Sequence, residues 1–123
     1  MTSPHERRRE PRAVEQLTLD LQDAATQLTA ETKNLSASGA YCTLERFIPP
    51  MSKLQLHFEL PGNGTRRSAI RCSGVVVRVE PVIAPSGRGS YHIAILFTEL
   101  SARDRSAISS FVRQRLSGTS SAH

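Results

Sequence analysis

The stretch "KLQLHFELPGNGTRRSAIRCSGVVVRVE", Lys53 to Glu80, decides the fold. In its first eight residues Leu54, Leu56, Phe58 and Leu60 fall on one side, and Lys53, Gln55, His57 and Glu59 on the other. A period of two with one apolar side is the pattern of a strand that buries one face. "PGNGTRR", Pro61 to Arg67, places proline, asparagine and two glycines together, so the chain reverses there into a hairpin. The returning arm is long and its phase slips. Ile70 and Cys72 share one parity, whereas Val75, Val77 and Val79 share the other. A β-bulge at Ser73–Gly74 would bring both sets onto one core.

The same alternation extends outward from this hairpin. Leu17, Leu19 and Leu21 mark a first strand, and Leu28, Ala30 and Thr32 a second. "NLSASG", Asn34 to Gly39, is turn chemistry: Asn and Ser bond to nearby backbone, and Gly tolerates a positive φ. Ala40, Cys42 and Leu44 carry a third strand, and "FIPP" at Phe47–Pro50 breaks the chain before the fourth. Beyond the loop "PVIAPSGRGS", Tyr91, Ile93, Ile95 and Phe97 give a sixth strand. The last element changes period. Ile108, Phe111, Val112 and Leu116 recur at helical spacing. Ser101 followed by Asp104 forms a short-armed capping box, Arg113 and Arg115 suit the helix end, and Gly118 is its stop. The expected fold is all-β with one helix: a six-stranded antiparallel β-barrel with a C-terminal α-helix packed on it. A barrel this small is filled by its own side chains, so a ligand must bind at the rim or the outer surface.

The 123 residues suit one domain, expected over residues 6–117, between a flexible N-terminus (1–5) and a disordered tail (118–123). The formal net charge is +5 and the pI about 10.0, which points to anionic partners. The positive charge is nearly all arginine, Lys33 and Lys53 being the only lysines. An arginine fork grips phosphate, carboxylate or a guanine edge at two points, which lysine cannot do. No apolar run is long enough to span a membrane and no secretory leader is evident, so a cytoplasmic protein is expected. Cys42 and Cys72, with no CxxC spacing, read as small core residues.

Catalysis finds little support. His5, His57, His92 and His123 are scattered, with His57 and His92 on the strand face opposite the apolar residues. No HExxH, serine-nucleophile elbow or P-loop occurs, and no carboxylates stand out as an acid–base pair. Metal ligands and cofactors are not expected.

Two patterns remain. "ERRREPRAV", Glu6 to Val14, contains Arg8 and Arg12 in the spacing RxxxR, on a segment that Pro11 keeps from being helical. Asn34, Ser36 and Gly39 have the spacing NxSxxG at the mouth of a hairpin. Taken singly, the first reads as a basic tail and the second as a turn. Together, followed by "GVVVRVE" and "YHIAILFTELSARDRSAISSFV", they resemble the PilZ domain family over roughly Glu6 to Leu116.

That resemblance implies a split-barrel fold and a non-catalytic receptor for cyclic di-GMP in bacterial second-messenger signalling. Arg8 and Arg12 would hold the phosphates and guanine edges; Asn34, Ser36 and Gly39 would form the second half of the site. Arg7 and Arg9 are further candidates, and Arg7 occupies the position that in this family bears on whether one ligand or an intercalated pair is held. Glu10 departs from the family, which often has an apolar or aromatic residue there. An exposed carboxylate–arginine pair is commonly worth under ~1 kcal/mol, so Glu10 would tune affinity rather than abolish it. The implied partners are cyclic di-GMP and an effector protein, with neither DNA, RNA nor membrane insertion expected. Two other readings stand beside this one: a basic barrel that binds single-stranded nucleic acid, and a degenerate PilZ module used only for protein contacts.

Overall fold

The computed structural model describes residues 17–23, 26–62, 67–83 and 89–121, with side chains described through residue 115. Six strands are followed by one helix: β1 (Thr18–Gln22), β2 (Gln27–Leu35), β3 (Gly39–Leu44), β4 (Lys53–Pro61), β5 (Arg67–Ile83), β6 (Gly89–Glu99) and α1 (Ala102–Ser121). All neighbouring strands are antiparallel, and they close into a barrel in the order β1-β2-β3-β6-β5-β4. The alternation of the sequence is the cause of the interior. Leu54, Leu56, Phe58 and Leu60 of β4 all point inward, as do Ile93, Ile95 and Phe97 of β6. Helix α1 adds Ile108, Phe111 and Val112 to the same core.

The phase change in β5 lies further along than the sequence suggests. Ile70, Cys72, Gly74 and Val76 keep one parity inward, so Val75 is half-buried and Val77 is exposed rather than in the core. Two register shifts separate β5 from β6. At Ser73/Gly74 the extra residue is Thr98 of β6, which leaves the alternation of β5 intact; at Val76/Arg78 the extra residue is Val77 itself. Only the second shift changes the face of β5, after which Val79 packs against the core. The expected loop at Pro81–Ser90 is also shorter: Pro81, Val82 and Ile83 pair with Tyr91, Ser90 and Gly89. Similarly, Asn34 and Leu35 are still in β2, past a bulge at Lys33, and the turn proper begins at Ser36.

Ser101 caps α1, its hydroxyl accepting from the Asp104 backbone N–H at 3.0 Å. Asp104 does not complete a capping box. Its buried carboxylate accepts from the Arg71 backbone N–H of β5 at 3.4 Å, tying the helix start to the barrel. The helix runs past Gly118 to Ser121, since one glycine costs a helix only about 1 kcal/mol. Arg113 and Arg115 therefore lie inside it rather than in its last turn, and the Arg115 guanidinium sits 4.7 Å over the Phe111 ring.

Cys42 and Cys72 are free and buried. Burial pushes both thiols up to about 12, with the nearby Asp104 carboxylate adding to the effect at Cys72. At pH 8 only about one thiol in 10⁴ is then a thiolate, the reactive form. Iodoacetamide at pH 8 is expected to leave both untouched in the native protein and to modify both in concentrated urea, as read by mass spectrometry; rapid native labelling would contradict this. Because the folded state holds these protons more tightly than the unfolded chain, their contribution to stability is full below pH 9 and falls as pH climbs towards 12.

Candidate functional site

The β2–β3 turn is held from three sides. Within it, the Ser36 N–H donates to the Gly39 carbonyl at 2.9 Å, and the Ser36 hydroxyl accepts from the Ser38 N–H at 3.2 Å. From β6, the Phe97 N–H donates to the Ser38 carbonyl at 2.8 Å. From α1, the Arg105 guanidinium donates to the Ala37 carbonyl at 3.3 Å. Ser36 is 1% exposed and its hydroxyl is engaged inside the turn, so it shapes the site rather than facing outward from it. Gly39 is required for a reason the sequence does not reveal. Its backbone lies against β6, where a Cβ would overlap the Ile95 carbonyl oxygen.

The structure thus brings Asn34, Ser36 and Gly39 together. Arg7, Arg8, Arg9 and Arg12, with Glu10, lie outside the described residues. The described chain starts at Leu17, whose N–H donates to the buried Thr32 hydroxyl at 2.8 Å and whose carbonyl accepts from the Thr32 N–H at 2.9 Å. Thr32 stands two residues before Asn34 on β2. The end of the barrel where the chain enters is therefore the end that carries the turn.

Beside the turn runs a surface groove of about 390 Å³, lined by Asn34, Ser38, Gly39, Tyr41, Val77, Ala94 and Leu96 among others. Val77 and Leu96 are 51% and 45% exposed, an apolar strip within a groove that also presents an amide and a hydroxyl. Tyr41 packs its ring against His92 (centroids 5.6 Å apart), and its hydroxyl donates to Glu80 Oε1 at 3.1 Å. Partial burial, then the Glu80 carboxylate, raises the Tyr41 phenol above its ordinary value. Two further grooves flank the exposed Asp20–His57 pair (3.6 Å), at about 280 and 550 Å³, and neither contains a residue of the two motifs. No group of three or more His, Cys, Asp or Glu side chains among the described residues is placed to hold a metal ion. No helix among them is long and apolar enough to cross a membrane.

Sequence reasoning found the turn but not the whole floor of the groove. Leu96 lies outward by the simple alternation of β6, whereas Val77 reads as a core position, because its outward placement depends on the bulge in the pairing of β5 with β6.

No curated protein matched the chain. Solved structures do. The chain is similar to the Bacillus subtilis inhibitor of motility MotI/DgrA (20% identity, 89% of this chain and 51% of that one, TM-score 0.76). It is similar to MrkH of K. pneumonia in its apo state (15% identity, 100% and 55%, TM-score 0.78). The PilZ domain of YcgR from Escherichia coli, solved with c-di-GMP, matches at 14% identity over 92% of this chain and 94% of that one (TM-score 0.68). The chain spans about half the length of MotI/DgrA and MrkH. At these identities the likeness speaks for the fold: a closed six-stranded barrel with one C-terminal helix. The sequence itself matches the PilZ domain model over residues 6–114, from the arginine segment into the final helix, and on that match the chain belongs to the PilZ domain family.

Proposed function

We propose that the chain is a non-catalytic receptor for cyclic di-GMP. It takes the dinucleotide between the arginine arm and the β2–β3 turn and passes the signal to an effector protein in the bacterial cytoplasm. One observation carries the reading: Asn34 at the end of β2 leads into the fastened turn from Ser36 to Gly39, beside a surface groove and at the barrel end that holds Leu17. Leu17 is five residues after Arg12, a tether that cannot exceed about 18 Å. The Leu17–Thr32 bonds anchor that tether two residues before Asn34, an arrangement compatible with contact between Arg12 and Asn34.

The chemistry fits the ligand. Guanidinium forks of Arg8 and Arg12 match phosphate oxygens or the guanine O6 and N7 edge. The Asn34 carbonyl accepts from the guanine N1–H and N2–H edge. Val77 and Leu96 offer apolar surface to a purine face. Arg7 and Arg9 reinforce the cluster, and Arg7 bears on stoichiometry. The family relatives lend support, since the YcgR PilZ domain and MrkH have each been solved with c-di-GMP. Binding brings the arm across the barrel face and so remodels the surface offered to the effector.

Isothermal titration calorimetry tests this directly. The wild-type protein should bind cyclic di-GMP, and Arg8→Ala and Arg12→Ala should each lose at least ~2 kcal/mol, the weight of a charge-assisted contact. Wild-type affinity in both variants would remove the arm from the site. A well-folded wild-type protein that gives no heat with cyclic di-GMP would favour a module used only for protein contacts.

A further inference from the structure

Four outward-facing positions of the barrel line up at one level. Asn34 of β2 pairs with Tyr41 of β3, Tyr41 with Ala94 of β6, and Ala94 with Arg78 of β5. Neighbouring strands lie about 4.8 Å apart, so Asn34 and Arg78 bracket a span of about 14 Å. Ala94, the smallest of the four, leaves a dip between Tyr41 and Arg78, and the groove beside the turn passes through it.

Arg78 faces outward only because of the bulge. Val76 is buried, so strict alternation would turn residue 78 inward and bury its charge. Val77 is the extra residue, and both Val77 and Arg78 emerge on the outer face. The bulge thus delivers an apolar side chain into the groove and a guanidinium to its border. Arg78 Nη1 lies 3.7 Å from Glu80 Oε2, with the two side chains 66% and 50% exposed. The other oxygen of the same carboxylate accepts from the Tyr41 hydroxyl.

We propose that Arg78 is a third arginine of the nucleotide site, outside both sequence motifs, and that Glu80 holds it in reserve. The ligand's phosphate draws the guanidinium off Glu80, and Glu80 keeps its bond to Tyr41. The exchange is easy because the pair is solvent-exposed, single-contact and long, and such pairs are weak. The phosphate offers the same guanidinium a charge-assisted contact beside an apolar strip, where water screens it less. Glu80 is then a determinant of affinity in its own right, because it competes with the ligand for one side chain. This inference rests on the cyclic di-GMP reading.

The test is a double-mutant cycle on the full chain, titrated with cyclic di-GMP, with thermal unfolding of each variant as the check on folding. Arg78→Ala should weaken binding about tenfold or more without lowering the melting temperature. Glu80→Gln should tighten binding when Arg78 is present and do nothing when Arg78 is alanine. A wild-type protein that binds while Arg78→Ala binds equally well overturns the third arginine and leaves the receptor reading intact. Equal tightening by Glu80→Gln in both backgrounds overturns the reserve role, since it would report only a lost negative charge near an anionic ligand. A wild-type protein that does not bind cyclic di-GMP removes the receptor reading and this inference with it.

Discussion

Gly39→Ala is expected to lose about 3 kcal/mol of stability or more, measured by urea denaturation, although the change adds a single methyl group. The new Cβ would overlap the Ile95 carbonyl oxygen and stand 3.2 Å and 3.3 Å from Ile95 C and Leu96 Cα. All three are backbone atoms of β6, so no rotamer change relieves the clash. Relief requires β3 and β6 to part, and they share six residue pairs from Gly39↔Leu96 to Leu44↔Tyr91. A wild-type denaturation midpoint would show that the two strands separate freely at this end. The result also bears on how binding data are read: a Gly39 variant that fails to bind cyclic di-GMP has lost its turn, which is no evidence that Gly39 touches ligand. Variants at Asn34 and the arm carry that question better.

The second large effect is expected at the centre of the barrel. Phe58 is 2% exposed, and its ring stacks on Phe97 with centroids 6.3 Å apart and planes 24° from parallel. Phe58→Ala should cost about 3–5 kcal/mol, the range for emptying a buried aromatic site. The high end is favoured because a closed barrel cannot collapse around the void as two sliding layers can, and Phe97 loses its stacking partner. Against a total stability of about 5–15 kcal/mol for an ordinary domain, this is a large share. Phe47→Ala is the internal contrast: Phe47 is 53% exposed and meets Tyr91 edge-on, so its loss should stay within about 1 kcal/mol. Similar losses at both positions would mean that the interior repacks.

The strands of the hairpin at Lys53–Glu80 are legible because inward and outward positions are written locally, one residue after another. Leu54 to Leu60 need no knowledge of their partners. The helix stripe at Ile108, Phe111 and Val112 is legible for the same reason. What escapes is whatever depends on distant pairing. Three successive valines at Val75–Val77 give no local sign of which one is displaced; only the pairing with Ile95 and Ala94 selects Val77. Gly39 and Ser36 are conspicuous in the sequence, yet the constraint on Gly39 comes from β6, and the Ser36 hydroxyl turns into its own loop. The candidate site is accordingly half legible. Its turn is spelled out by NxSxxG and Leu96 by the alternation of β6, the exposure of Val77 and the alignment of Arg78 with Asn34 emerge only from the register of the strands, and the arginine arm rests on sequence alone.

The short contact between β1 and β4 has a consequence for the protein in a crowded solution. Those strands join through three residue pairs, Asp20↔His57, Leu21↔Leu56 and Gln22↔Gln55, whereas β4 and β5 share nine. Closure gives each of the six described strands a partner on both sides along part of its length, which shortens the sheet edge onto which another chain can add. That protection is only as strong as its shortest join. Parting three pairs would uncover the hydrogen-bonding groups of β1 and β4 at once, giving two templates for strand-to-strand aggregation, so resistance to self-association depends on a seam shorter than either strand it joins.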